Sequence, residues 1–178
     1  DVVDPKTTRN MGHPERIGFR DFGFTYPQST AINLQGINLS MNSGQTLGIV
    51  GKTGSGKTTF VKQLLKEYPT GEGSLTMNGI EINELSKAQL RDWVGYVPQD
   101  HVLFSRTILE NILFGKADAT QEEVAEAIKL SYFEKDLAML PNGLETLVGE
   151  KGVALSGGQK QRISIARAII KNPEILIL

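Results

Sequence analysis

Residues 46–65 read Thr46-Leu-Gly-Ile-Val-Gly51-Lys-Thr-Gly54-Ser55-Gly56-Lys57-Thr58-Thr59-Phe60-Val-Lys-Gln-Leu64-Leu65. Thr46 to Val50 is a short apolar run expected as a strand, and Phe60, Val61, Leu64 and Leu65 recur at helical spacing. Between them, Gly51, Gly54 and Gly56 let the backbone bend so that successive N–H groups point inward. The helix beginning near Lys57 adds its positive N-terminal end. Strand, glycine-rich loop and helix match the phosphate-loop spacing G-x-x-x-x-G-K-[ST]. Such a loop cradles a nucleoside triphosphate, with Ser55, Gly56 and Thr59 lining it. Lys57 bridges the β- and γ-phosphates and the Thr58 hydroxyl is a ligand for Mg²⁺. The plainer alternative is a glycine-rich turn with an incidental lysine, which the flanking strand and helix argue against.

Working outward, residues 1–16 are polar, hold Pro5, Gly12 and Pro14, and read as a linker or extended arm. Ile17 to Tyr26 alternates apolar and polar residues with a slip at Gly23, Gly36 to Met41 repeats the alternation, and Asn42-Ser43-Gly44 is a turn. These pieces are expected to pair antiparallel. Leu75 and Met77 sit in another strand closed by Asn78-Gly79, a hairpin-type turn. Val94, Tyr96 and Val97 form a buried strand ending at Pro98, and Thr120 with Glu123 makes a capping box for a helix through Leu130. A short helix follows over 132–140, and Ser156 caps a helix through about Ile170. Asn172-Pro173 breaks it, before the apolar strand Glu174 to Leu178. A run that apolar belongs inside a sheet covered on both faces. The alternation of strands and helices predicts an α/β fold: a largely parallel core sheet with an N-terminal antiparallel β subdomain.

Composition narrows the partners. The chain has 178 residues, 39% hydrophobic, enough for one sizeable domain. Its 19 basic and 20 acidic residues leave a net charge of −1, which argues against nucleic acid as a partner. There is no cysteine, so disulfides, thiolate zinc sites and cysteine nucleophiles are excluded. No apolar run approaches the roughly 18–20 residues needed to span a bilayer. Glycine is in excess, 19 residues where average usage predicts about 12, and many cluster in two loops.

The second glycine loop is Leu155-Ser156-Gly157-Gly158-Gln159, followed by Lys160-Gln161-Arg162. Read bare, it is a Ser-capped helix with a flexible lead-in; its N-terminus and two glycines also suit a second anion site. Lying about 100 residues after the phosphate loop, it resembles the signature sequence of ABC ATPases, and the resemblance covers roughly 17–178. It implies a P-loop NTPase fold with a helical signature subdomain, of the exporter type. In that family the signature loop contacts the γ-phosphate of ATP held by the opposite subunit. The implied partners are therefore a second nucleotide-binding domain, identical or not, and the transporter's transmembrane domain. The implied location is the cytoplasmic face of a membrane, with 1–16 descending from membrane helices.

Weaker matches follow the same resemblance. Tyr26 looks like the aromatic that stacks on adenine, the alternative being a tyrosine closing an edge strand. Gln99 resembles the glutamine that reaches Mg²⁺ and the attacking water. Glu150, within Thr146 to Gly152, is similar to the exporter loop touching coupling helices, or is a solvated turn. Phe104 to Ile108 with Glu110-Asn111-Ile112 also looks exporter-like, its apolar residues either facing membrane-domain helices or packing in the helical subdomain. The family places a magnesium-holding aspartate, a water-polarising glutamate and a switch histidine after the apolar strand. The sequence given stops at Leu178; His13 and His101 precede the signature, and Glu174 lies at the wrong end of its strand. The expectation is a domain incomplete at its C-terminal side that binds ATP without hydrolysing it efficiently, its last strand and Val97 partly exposed. Two other readings remain: a soluble ABC ATPase of DNA repair or chromosome maintenance, disfavoured by the absence of heptads, and a P-loop nucleotide kinase, in which the signature loop has no role.

Overall fold

The first strand, β1 (Arg16–Thr25), turns Ile17, Phe19, Phe22 and Phe24 to the same buried face although the intervals between them are two, three and two residues. Strand periodicity of two forbids this without an inserted residue, and Asp21 supplies it, exposed and at φ 46°. The slip expected at Gly23 thus begins earlier, at Asp21, whose unpaired N–H donates to Asn38 Oδ1 at 2.9 Å. In this computed structural model, which describes all residues except 1, 3, 6–8, 10 and 151, the chain forms two compact units, Asp1–Trp93 and Val94–Leu178. The expected arm over 1–16 and the loop 146–152 therefore lie partly outside the described residues.

In the first unit, β1 pairs antiparallel with β2 (Ile32–Asn42) on one side and with β3 (Glu72–Met77) on the other; β4 (Ile80–Glu81) completes the order β2-β1-β3-β4. Asn78 and Gly79, at φ 50° and 76°, make the tight turn between β3 and β4. Asn78 Oδ1 also accepts the N–H groups of Glu15 and Arg16, at 2.8 and 2.9 Å, tying the start of β1 to that turn. Helix α1 (Lys57–Leu64) lays Phe60 on Phe19, ring centroids 4.7 Å apart, above fully buried Phe22, Leu75 and Met77. Helix α2 (Lys87–Trp93), not anticipated, buries Leu90.

The strand expected at Thr46 to Val50 is not formed. The run has no ladder partner among the described residues, Leu47 and Ile49 are exposed, and Val50 is 93% exposed. An apolar run becomes a strand only when a neighbour takes its N–H and C=O groups.

In the second unit, β5 (Val94–Tyr96) pairs in parallel with β6 (Ile175–Ile177), which is the extent of the parallel core among the described residues. Leu176 and Leu178 are exposed, as expected, but Val97 is buried and donates its N–H to Ile177 O at 2.9 Å. That bond prolongs the ladder and corrects the expectation of an exposed Val97. Helices α3 (Ile108–Leu113), α4 (Gln121–Leu130), α5 (Glu134–Ala138) and α6 (Gly157–Ile169) surround Ile108, Ile112, Val124, Phe133, Val148 and Ile163. Thr107, Thr120 and Ser156 each open a helix with a reciprocal capping box. Among the described residues no helix is long and apolar enough to cross a membrane.

Candidate functional site

The loop from Gly51 to Ser55 is exposed and leads through half-buried Gly56 into α1. Gly54 and Gly56 stand at φ 82° and 89°, a region that glycine enters without steric cost. A Cβ on Gly51 would lie 2.5 Å from Ser55 Oγ, and one on Gly56 would lie 2.8 Å from Asn33 O. Around Gly54 there is open space instead, with nothing within 4 Å. Ser55 N–H donates to Lys52 O at 3.1 Å and closes the turn.

Lys57 folds across this loop, its Nζ donating to Gly51 O at 2.7 Å and Lys52 O at 3.0 Å. An ammonium has three protons, so one donor remains for an incoming acceptor. Thr58 is exposed on the first turn of α1, whereas Thr59 is buried and hydrogen-bonded to the Tyr26 hydroxyl at 3.0 Å. Tyr26 N–H donates to Asn33 Oδ1, and its ring meets Phe24 and Tyr68 edge-on at 5.0 and 4.9 Å. The structure thus brings Tyr26 and Thr59 of the expected set together. A separate shallow groove of about 690 Å³, lined by Arg16, Arg20, Ser40, Thr76 and Glu81 among others, takes no residue from the phosphate loop.

The second unit carries the signature residues. Ser156 accepts the Gln159 N–H at 3.2 Å while Gln159 Oε1 accepts the Ser156 N–H at 2.9 Å. Gln159 Nε2 and Arg162 Nε both reach Asp136, at 3.3 and 2.6 Å, fastening the first two turns of α6 to α5. A Cβ added to Gly157 would meet nothing within 4 Å, and one on Gly158 only the tip of Arg162 at 3.5 Å. Neither glycine is required by the packing of its own unit, so the helix end offers bare backbone to an outside group. Gln99 is exposed after Pro98. Glu150 is also exposed; Gly149, at φ 91°, packs against Ser105.

Three residues have supporting roles that sequence reasoning did not assign. Asn111 is fully buried and its side chain bonds to both backbone groups of Phe104. Arg167 donates to Asn111 and Val102, and burial pushes its guanidinium below its ordinary value. Lys66 is 2% exposed, its Nζ donating to Leu85 O at 2.6 Å, and burial pulls its pKa down against the opposing pull of Asp4. Among the described residues no group of three or more His, Cys, Asp and Glu is placed to hold a metal ion.

The family model described as ABC transporter matches residues 34–178. A probable multidrug resistance ABC transporter ATP-binding/permease protein of Bacillus subtilis is 64% identical over 178 residues, all of this chain and 30% of that protein. A multidrug resistance protein of Caenorhabditis elegans is 46% identical over 156 residues, 87% of this chain and 12% of that protein. A solved bacterial Atm1-family ABC exporter with ATP bound superposes with TM-score 0.90 at 38% identity, covering 98% of this chain and 31% of that one. The chain therefore spans about a third or less of the length of these proteins.

Proposed function

Since the chain belongs to the ABC transporter family, we propose that it is the ATP-binding motor domain of an exporter, coupling ATP binding and hydrolysis in the whole protein to transport across a membrane. The observation that carries this reading is a phosphate loop and a signature-type capping box in one chain, the first open to an outside group at Gly54 and the second at Gly157 and Gly158.

The phosphate loop suits a triphosphate. Gly51, Gly54 and Gly56 allow backbone N–H groups to converge, and the free proton of Lys57 meets the β- and γ-oxygens. Tyr26 presents a ring to adenine, held by Thr59 and Asn33. Thr58 and Gln99 are the groups that would hold Mg²⁺, whose chemistry is to neutralise charge developing on the β- and γ-oxygens. Ser156 and the backbone of Gly157 and Gly158 meet the γ-phosphate of ATP carried by a second nucleotide-binding domain, so that ATP closes two such domains on each other. Glu150 and the exporter-like segment around Phe104 face the transmembrane partner on the cytoplasmic side, and residues 1–16 link the domain to it. The relatives described above are named as transporters, which favours this reading over a DNA-repair ATPase.

The test is thermal unfolding of the chain with ATP, with and without Mg²⁺, beside Lys57→Ala. Ligand at 100 times its dissociation constant adds about 2.7 kcal/mol to the folded state. Stabilisation of the parent chain, lost in Lys57→Ala, is expected; no shift in either protein refutes a formed ATP site.

A further inference from the structure

Helix α6 opens at Ser156 and carries Arg167 eleven residues later, about 16 Å along its axis at 1.5 Å per residue. Arg167 is where the chain following Gln99 is fastened to that helix. Its Nη1 donates to Val102 O at 3.0 Å, its Nε to Asn111 O at 2.9 Å and its Nη2 to Asn111 Oδ1 at 2.8 Å. Phe104 and Phe114 pack on each other, centroids 4.6 Å apart, and the guanidinium lies against the pair, 5.3 and 5.9 Å from its carbon to the two centroids.

Asn111 extends the connection. Fully buried, it accepts the Phe104 N–H at 2.9 Å and donates to Phe104 O and Thr107 O at 3.0 and 2.9 Å. Gly115 closes it from the other end of α3: a Cβ there would lie 2.0 Å from Arg167 O, so backbone presses on backbone. The stretch from Val102, three residues after Gln99, to Gly115 is thereby held against one turn of α6.

Covering a pair of packed rings does not call for a guanidinium. An apolar side chain would do so without the desolvation cost of a half-buried charge. What the guanidinium adds is direction: a rigid planar fork satisfies three oxygens on two separated segments at once, which a lysine point charge cannot do.

We propose that Arg167 is a positioning residue that locks the Gln99 loop to the signature helix, so that Gln99 and Ser156 are held in one rigid piece. The proposal rests on the reading of those two residues given above. Loss of the lock leaves the phosphate loop its ATP but lets Gln99 and Ser156 wander independently, so turnover falls while apparent ATP affinity stays.

The experiment compares the intact transporter with Arg167→Met, Arg167→Lys and, separately, Gln99→Ala, by hydrogen exchange and by ATP hydrolysis. In Arg167→Met the amides of 102–107 are expected to exchange about tenfold faster, the effect of losing hydrogen bonds to a charged group, while α4 keeps its protection. The kcat falls about tenfold with KM for ATP within about twofold, the pattern of lost transition-state positioning. Arg167→Lys lies between Met and the parent on both readouts, and decides the question should Arg167→Met not accumulate. Unchanged exchange and kcat in the variants overturn the proposal. So does an equal loss of protection in α4, which would make Arg167 a core residue only. If Gln99→Ala alone leaves kcat unchanged, the role given to Gln99 falls, and the exchange at 102–107 still decides whether Arg167 fastens that loop.

Discussion

Gly54 and Gly56 share a left-handed backbone, at φ 82° and 89°, but differ in their surroundings, and alanine at each should separate two costs. A non-glycine residue at such a φ costs about 1–2 kcal/mol, offset by about 0.4–1 kcal/mol because alanine restricts the unfolded chain. At Gly54 a Cβ meets nothing within 4 Å, so Gly54→Ala should cost only that difference, on the order of 0.5–1 kcal/mol. At Gly56 it would lie 2.8 Å from Asn33 O and 3.0 Å from Leu34 Cδ2, the first of them backbone. Relief of such a clash typically costs a further 1–3 kcal/mol, for a total of about 2–4 kcal/mol. For a chain of this size each kcal/mol lowers Tm by about 2–4 °C. Calorimetric melts should show Gly54→Ala within about 4 °C of the parent and Gly56→Ala lower by about 4–16 °C. ATP should still stabilise Gly54→Ala but stabilise Gly56→Ala much less, because the N-cap of α1 has moved. Equal drops in Tm, or a larger drop for Gly54→Ala, would refute the assignment of these two environments.

Three further outcomes are expected. Tyr26→Phe loses the hydroxyl contact to Thr59 and about 0.5–1.5 kcal/mol of stability but keeps its affinity for ATP, since the ring remains. Tyr26→Leu weakens ATP binding by about 1–3 kcal/mol if the ring stacks on adenine; calorimetric titration of both variants decides it. The Lys116 ammonium beside Glu123, together with the Thr120 N–H, holds the Glu123 carboxyl below its usual pKa of 4.5. The stability this contributes is present above the unfolded value and lost as pH falls through the lower folded one. Urea midpoints of parent and Glu123→Gln should therefore differ at neutral pH and converge in acid. Phe133, fully buried in the helical cluster, should cost about 3–5 kcal/mol when replaced by alanine, read from urea unfolding.

Features fixed within four residues of chain were legible in the sequence. Thr120 with Glu123 opens α4 where expected, Ser156 opens α6, and Asn78-Gly79 turns β3 into β4. The glycines of the phosphate loop belong to the same class, since Gly54 and Gly56 are demanded by their own φ. Each is a contest between a side chain and its neighbouring backbone, and the residues that settle it are adjacent.

What depended on distant partners was not legible. Thr46 to Val50 has the composition of a strand, but its ladder had to come from elsewhere in the chain. Lys66 looks like a surface lysine on a helix end, yet it is buried, its ammonium donating a hydrogen bond to Leu85 O nineteen residues away. Asn111 and Arg167 are 56 residues apart, and neither alone distinguishes itself from a solvated polar residue on a helix. The openings of α4 and α6, the turn from β3 to β4 and the glycine positions of the loop before α1 were thus readable from adjacent residues, because short-range sterics and hydrogen bonds set them. Only the tertiary structure decided which polar groups are buried together, because the energy of a buried donor depends on whether a distant acceptor is brought to it.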